Sequence, residues 1–66
     1  MLITFNGKPF EFDGTIADLL QSRCGNRCPG GVAVAVDFAV VPRAEWESRL
    51  LHEGNRVEVV TAVQGG

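Results

Sequence analysis

No run of apolar residues in this chain is long enough to cross a bilayer. The longest, Val32 to Val36, stops at Asp37 and resumes only from Phe38 to Val41, whereas a transmembrane helix needs ~20 such residues. The first residues, Met1-Leu2-Ile3-Thr4-Phe5-Asn6, lack the basic start and long apolar stretch of a signal peptide, so the cytoplasm is the expected compartment. Basic residues are not in excess. Six Lys and Arg against eight Asp and Glu give a formal charge of −2 and a pI near 5.1. That argues against a general nucleic-acid binder, which needs a basic stripe to neutralise phosphates, and removes the simplest route to an anionic membrane surface. Two cysteines are too few for a disulfide scaffold. Neither a G-x-G-x-x-G stretch nor a Walker A sequence is present.

What is there fits one small domain. The 66 residues are 45% hydrophobic, enough for a single core. A core this size has nothing to spare for a deep enzyme cleft. A charged fraction of 21% with a mean hydropathy of +0.11 argues against disorder.

Residues 1 to 12 read as a hairpin, Met1 to Phe5 followed by Phe10 to Phe12. Asn6-Gly7 sits between them, a pair whose residues both accept positive φ. Pro9 has no N–H to give a ladder, which predicts an edge strand. Thr15-Ile16-Ala17-Asp18 has the spacing of a capping box, and Ile16, Leu19 and Leu20 make one helical stripe that Gly25 ends. Cys24 to Gly31 reads as a loop. Val32 to Val36 is the strongest strand candidate and an interior one, because both its faces are apolar. Asp37-Phe38 reads as a turn, Ala39 to Val41 as a brief strand closed by Pro42, and Arg43 to Leu51 as a short helix with Trp46 and Leu50 on one face. Glu53-Gly54-Asn55 reads as a turn and Val57 to Val63 as a second interior strand. The order β-β-α-β-β-(α)-β predicts an α+β domain. Its sheet is mixed and four- to five-stranded, with the main helix on one face and a later strand parallel to an earlier one.

Residues 1–63 are expected to form the domain and residues 64–66 a flexible tail. Gln64-Gly65-Gly66 reaches ~10 Å beyond the last strand when extended. Read blandly, it is a frayed terminus. Read functionally, two residues without Cβ atoms thread a narrow slot and deliver the Gly66 α-carboxylate into another protein's active site. Cys24 and Cys28 have C-x₃-C spacing, unlike thioredoxin-like motifs or half of a usual zinc site, and His52 is the single histidine. No metal site is therefore expected, and the cysteines read as two surface-loop thiols. His52 reads as an exposed residue near a helix end. Trp46, Phe5, Phe10, Phe12 and Phe38 read mostly as core residues, with a binding face as the alternative for some of them, and Glu45 and Glu47 read as part of a solvated face.

Nearly the full length resembles the ThiS family, the ubiquitin-related sulfur carriers of thiamin biosynthesis. The matching stretches are Asn6-Gly7, Thr15 to Leu20, Val32 to Val36, Val40-Val41-Pro42-Arg43-Ala44-Glu45-Trp46, and Glu53 through Gly66. The Val-Pro-Arg-x-x-Trp stretch together with the Gly-Gly end is the specific part. Asp37 stands at a turn where such carriers often have Asn, Asn55 where Asp is frequent, and the Cys24 to Cys28 loop departs from the pattern.

The resemblance implies a β-grasp fold and a protein co-substrate rather than an enzyme. It implies that an E1-like (ThiF-like) adenylyltransferase activates Gly66 with its own ATP and Mg²⁺, the carrier holding no cofactor of its own. A persulfide donor such as a cysteine desulfurase then supplies sulfur. A ThiG-like thiazole synthase takes that sulfur from a Gly66 thiocarboxylate. Contacts to these partners are expected at Gln64, Gly65 and one sheet face beside the tail. Three other readings of the residues stand beside this one. They are a sulfur carrier for molybdopterin, tRNA thiolation or a secondary metabolite, a plain interaction module with an incidental Gly-Gly end, and a small redox protein using Cys24 and Cys28.

Overall fold

Two local signals in the sequence, Asn6-Gly7 and the Thr15 to Asp18 capping box, solve the same problem of turning the chain without leaving backbone donors unpaired. The computed structural model describes residues 1–27 and 29–61. In it, β1 (Leu2–Phe5) and β2 (Lys8–Glu11) are antiparallel and joined by Asn6-Gly7 alone, with φ of 50° and 84°. Positive φ at both positions gives the turn whose twist matches that of the strands. With β3 (Val32–Val36), β4 (Ala39–Val41) and β5 (Arg56–Thr61), the sheet order is β2-β1-β5-β3-β4, so the proline-bearing β2 lies at an edge, where its missing N–H costs no ladder bond.

Helix α1 (Ile16–Cys24) starts on the expected capping box. The Thr15 hydroxyl accepts from the Asp18 N–H at 3.1 Å, and the Asp18 carboxylate accepts from the Thr15 N–H at 3.0 Å. The Ile16 and Ala17 N–H groups, which have no partner inside the helix, donate instead to the carbonyls of Arg49 and Trp46 at 3.0 and 2.9 Å. Gly14 precedes the cap at φ 144°. A Cβ there would lie 2.8 Å from an Asp18 carboxylate oxygen and 3.2 Å from the Phe12 ring, so the cap tolerates only glycine. Gly25 closes the helix in the left-handed region. Cys24 is thus the last helical residue rather than the first of the loop.

Asp18 also accepts from Arg27 at 2.7 Å. The Thr15 backbone N–H, and after it Arg27, hold its carboxyl below the ordinary carboxylate range. Folding therefore favours the ionised form. The stabilisation is complete above the unfolded value near ~4 and is lost as pH falls through the lower folded value. Asp18→Asn is expected to flatten the acid limb of stability below about pH 4. Urea midpoints across a pH series check this, and a limb as steep as that of the parent chain would refute it.

Strand β3 (Val32–Val36) pairs antiparallel with both β4 (Ala39–Val41) and β5 (Arg56–Thr61), and β5 runs parallel to β1. Side chains alternate across the sheet. Ile3, Val34, Val36, Val41 and Val57 face α1, whose Ile16, Ala17, Leu19 and Leu20 cover them, and Trp46 and Leu51 complete the buried set. Phe5, Phe10 and Phe12 pack partly buried around it.

The segment after Pro42 departs from the expected helix. One 3-10 turn forms over Arg43–Glu45, followed by turns. The carbonyls of Trp46 and Arg49 are directed at the start of α1, so the segment bends around that helix end instead of winding on. Its apolar spacing changes accordingly. Trp46 and Leu51 enter the core, while Leu50 is 57% exposed. β5 is described from Arg56 to Thr61. The Ala62 and Val63 part of the expected strand lies outside the described residues. Among the described residues, five strands with one α-helix laid across a single face are the expected β-grasp arrangement.

Candidate functional site

The final strand carries the chain from the centre of the sheet toward its carboxyl end. Gln64, Gly65 and Gly66, the candidate site residues, lie outside the described residues. What the structure fixes is the path of β5 as far as Thr61. β5 is flanked by β1 and β3, so its path is held on both sides. Asn6 N–H donates to the Val57 carbonyl at 2.9 Å, and the Asn6 side-chain oxygen accepts from the Val59 N–H at 2.8 Å. The side chain of the turn thus continues the ladder beyond the point where β1 turns away. On the other side, β3 stays paired as far as Val32 opposite Thr61. Residues 62–66 can span at most about 18 Å from there.

The sheet face opposite α1 is apolar and uncovered. Ala33 pairs with Val60, and Ala35 pairs with both Val40 and Glu58. These residues share the outer face, because directly paired positions point the same way and alternate positions switch sides. Val40 is 75% exposed and Val60 60%. Arg56 lies on the same face at the start of β5, where its guanidinium sits 5.0 Å above the ring of the exposed Phe38. A contiguous apolar strip across three strands, ringed by Arg56 and Glu58, has the composition of a docking surface. The apolar character of both faces of Val32 to Val36 correctly marks an interior strand, but only one of those faces is buried inside the domain.

Other candidates are placed apart from this face. The Phe5, Asn6, Lys8, Pro9, Phe10 and Arg23 side chains line an open groove of about 480 Å³. The Arg23 guanidinium lies 4.9 Å from the Phe10 ring and 5.5 Å from that of Phe5. This cation sits in the last turn of α1, where it also complements the helix dipole. His52 is exposed before β5 rather than beside a helix end, and its N–H donates to the Asn55 side chain at 2.7 Å. Cys24 is an exposed free thiol. Cys28 lies outside the described residues. Glu45 and Glu47 are exposed and pair loosely with Arg49 at 4.0 Å and Arg27 at 3.8 Å. Among the described residues, no three His, Cys, Asp or Glu side chains gather to hold a metal ion, and no helix is long and apolar enough to cross a membrane.

The outer-face residues Ala33, Ala35, Val40 and Val60 were not individually legible. Alternation alone separates two sets on each strand, and only the position of α1 says which set is buried.

The model of the ThiS family matches residues 3–66, a stretch that includes the Gly-Gly end. A crystal structure of a thiamine biosynthesis protein (ThiS) from Geobacter metallireducens is 26% identical, with all of both chains covered and a TM-score of 0.81. A solution structure of a thiamine biosynthesis protein from the same organism is 27% identical, covering all of this chain and 88% of the other, with a TM-score of 0.74. No curated protein matches the sequence.

Proposed function

The chain belongs to the ThiS family, and from that premise we propose that it is a sulfur carrier of thiamin biosynthesis whose reacting group is the Gly66 α-carboxylate. The supporting observation is the family match, which continues through Gln64-Gly65-Gly66, and beside it stands the open apolar face to which β5 (Arg56–Thr61) contributes.

The chemistry follows from what a carboxylate lacks. As an acyl donor it would have to expel oxide. A carboxylate oxygen of Gly66 attacks the α-phosphorus of ATP in an E1-like, ThiF-like adenylyltransferase. Pyrophosphate leaves with the electron pair of the broken bond, and an acyl-adenylate remains. The terminal sulfur of a protein persulfide attacks the carbonyl carbon and displaces AMP. A thiol cleaves the resulting acyl disulfide, and Gly66 keeps the sulfur as a thiocarboxylate. A ThiG-like thiazole synthase then consumes it in forming the thiazole ring.

ATP and Mg²⁺ belong to the adenylating partner. The carrier contributes a carboxylate without neighbouring Cβ atoms and a surface by which it is held. Tethering the sulfur makes its delivery effectively unimolecular, which removes much of the entropic part of the barrier. The partner seats on Ala33, Ala35, Val40 and Val60, with Gln64 and Gly65 in the channel that leads to the nucleotide.

The test is incubation with a ThiF-like enzyme, Mg-ATP and a persulfide donor, followed by intact-mass measurement. The mass is expected to rise by the difference between sulfur and oxygen. Adding thiazole synthase and its substrates should return the carrier to its starting mass as thiazole forms. A mass that never changes would reject the carrier reading. A thiocarboxylate that thiazole synthase leaves untouched would reject the thiamin assignment.

A further inference from the structure

The same two-residue turn occurs twice in this fold, and the chain fills it differently each time. Between β1 and β2 the second turn position is Gly7, at φ 84°. Between β3 and β4 it is Phe38, at φ 71°. A bulky residue in the left-handed region is an outlier, because its Cβ crowds the neighbouring carbonyl. Glycine would sit there without strain. Nor does burial account for the ring, which is 74% exposed.

The surroundings nevertheless hold this turn from several sides. The Asp37 carboxylate accepts from the Arg56 N–H and from the Asn55 amide, each at 2.8 Å. The Asp37 N–H donates to the Arg56 carbonyl at 2.7 Å. The Arg56 guanidinium lies 5.0 Å over the Phe38 ring and forms no ion pair among the described residues. A strained, over-determined and exposed aromatic is the pattern expected of a group kept for what it touches in a complex. Aromatic residues, phenylalanine among them, and arginine are enriched in the contact surfaces of complexes.

We propose that Phe38 is the anchor that seats the carrier on its adenylating partner, its ring entering an apolar pocket whose rim carries a carboxylate facing Arg56. This rests on the carrier reading given above. The charge complement follows from Arg56, a cation on the rim of the apolar face that forms no ion pair among the described residues. From Arg56 to Thr61, β5 spans about 17 Å. Phe38 and Thr61, the last described residue before the tail, therefore lie at opposite ends of one strand. An interface of ordinary size, about 800 Å² per partner, covers both. Gripped at Phe38, the domain is fixed along the strand axis, and with it the point from which Gly66 is delivered. Phe38 does not reach the reacting carboxylate, so it governs recognition and not the chemical step.

The experiment measures pyrophosphate release by the adenylating enzyme against carrier concentration, for the parent chain, Phe38→Gly and Phe38→Tyr. Phe38→Gly is expected to raise the carrier KM about 10–30-fold with kcat unchanged. Its melting midpoint should be equal to or above that of the parent, because glycine relaxes the turn. Phe38→Tyr, which keeps the ring but carries a hydroxyl into the apolar pocket, should leave kcat unchanged and give a KM between those of the parent and Phe38→Gly. An unchanged KM for Phe38→Gly, with the parent adenylated normally, would overturn the anchor alone. A midpoint lowered by about 4–8 °C would make the ring a structural element and also overturn it. So would concentration-dependent dimerisation of the parent that Phe38→Gly abolishes, since the occupant would then be a second copy. A parent chain that is never adenylated would overturn the carrier reading itself, and this role with it.

Discussion

A chain ending at Gly65 is expected to fold like the full-length chain and to remain at its starting mass after incubation with the adenylating enzyme, Mg-ATP and a persulfide donor. Removing Gly66 withdraws the carboxylate by one residue, about 3.3–3.6 Å. For a bimolecular displacement that depends on near-attack geometry, a shift of only about 1 Å costs on the order of a hundredfold. The expected loss is therefore at least that large. One residue added after Gly66 should do equal harm, since the reacting carbonyl then becomes an internal amide. The fold should be indifferent. Among the described residues, every side chain of the buried core lies between Ile3 and Val57, and the described hydrogen bonds that hold β5 to its neighbours involve residues before the tail. Intact mass reports the first outcome and thermal melting the second. Modification of the shortened chain would show that the reacting group is elsewhere. Loss of its cooperative melting would show that the tail is part of the body and not an arm.

The sheet was legible in the sequence wherever a local signal had a single physical meaning. Asn6-Gly7 needs positive φ at both positions, which selects one kind of hairpin. Thr15 and Asp18 satisfy each other's backbone donors only at a helix start. Both pointed to the observed element. Periodicity alone misled where a non-local bond competed with it. From Arg43 onward, the Trp46 and Leu50 spacing reads as a helical face, yet the bonds from Ile16 and Ala17 draw the Arg49 and Trp46 carbonyls toward α1 and stop the winding. Nothing local to that segment announces this.

The site divides along the same line. Its family was legible, and the chemistry of the Gly65-Gly66 end, which lies outside the described residues, is the proposal built on that match. Its surface was not, because Val40 and Val60 look like core residues until α1 is seen on the other side of the sheet. Phe38 was grouped with the core aromatics for the same reason. Its exposure follows from a turn that places residue 38 beyond the end of β3.

Trp46→Ala is expected to leave the chain largely unfolded near physiological temperature. The indole is 2% exposed and is the largest fully buried side chain. Its Nε1–H donates to the Val41 carbonyl at 3.0 Å, and the Arg43 guanidinium lies 4.9 Å from the ring. The backbone carbonyl of the same residue caps the Ala17 N–H at 2.9 Å, so the indole fastens the segment that closes the start of α1. Truncating a buried tryptophan to alanine costs about 3–5 kcal/mol through lost transfer energy and the cavity left behind. A domain of 66 residues has only about 3–10 kcal/mol in total, at roughly 0.05–0.15 per residue. The loss is therefore comparable with the whole stability. Trp46→Phe should retain cooperative unfolding at a reduced midpoint, because the benzyl ring keeps most of the contact but cannot donate to Val41. Urea denaturation followed by far-UV circular dichroism separates these outcomes. A Trp46→Ala chain with the parent's midpoint would show that the Val-Pro-Arg-Ala-Glu-Trp stretch is retained for contact with partners. A midpoint ordered parent, phenylalanine, alanine would place Trp46 in the scaffold, leaving recognition to the opposite face of the sheet.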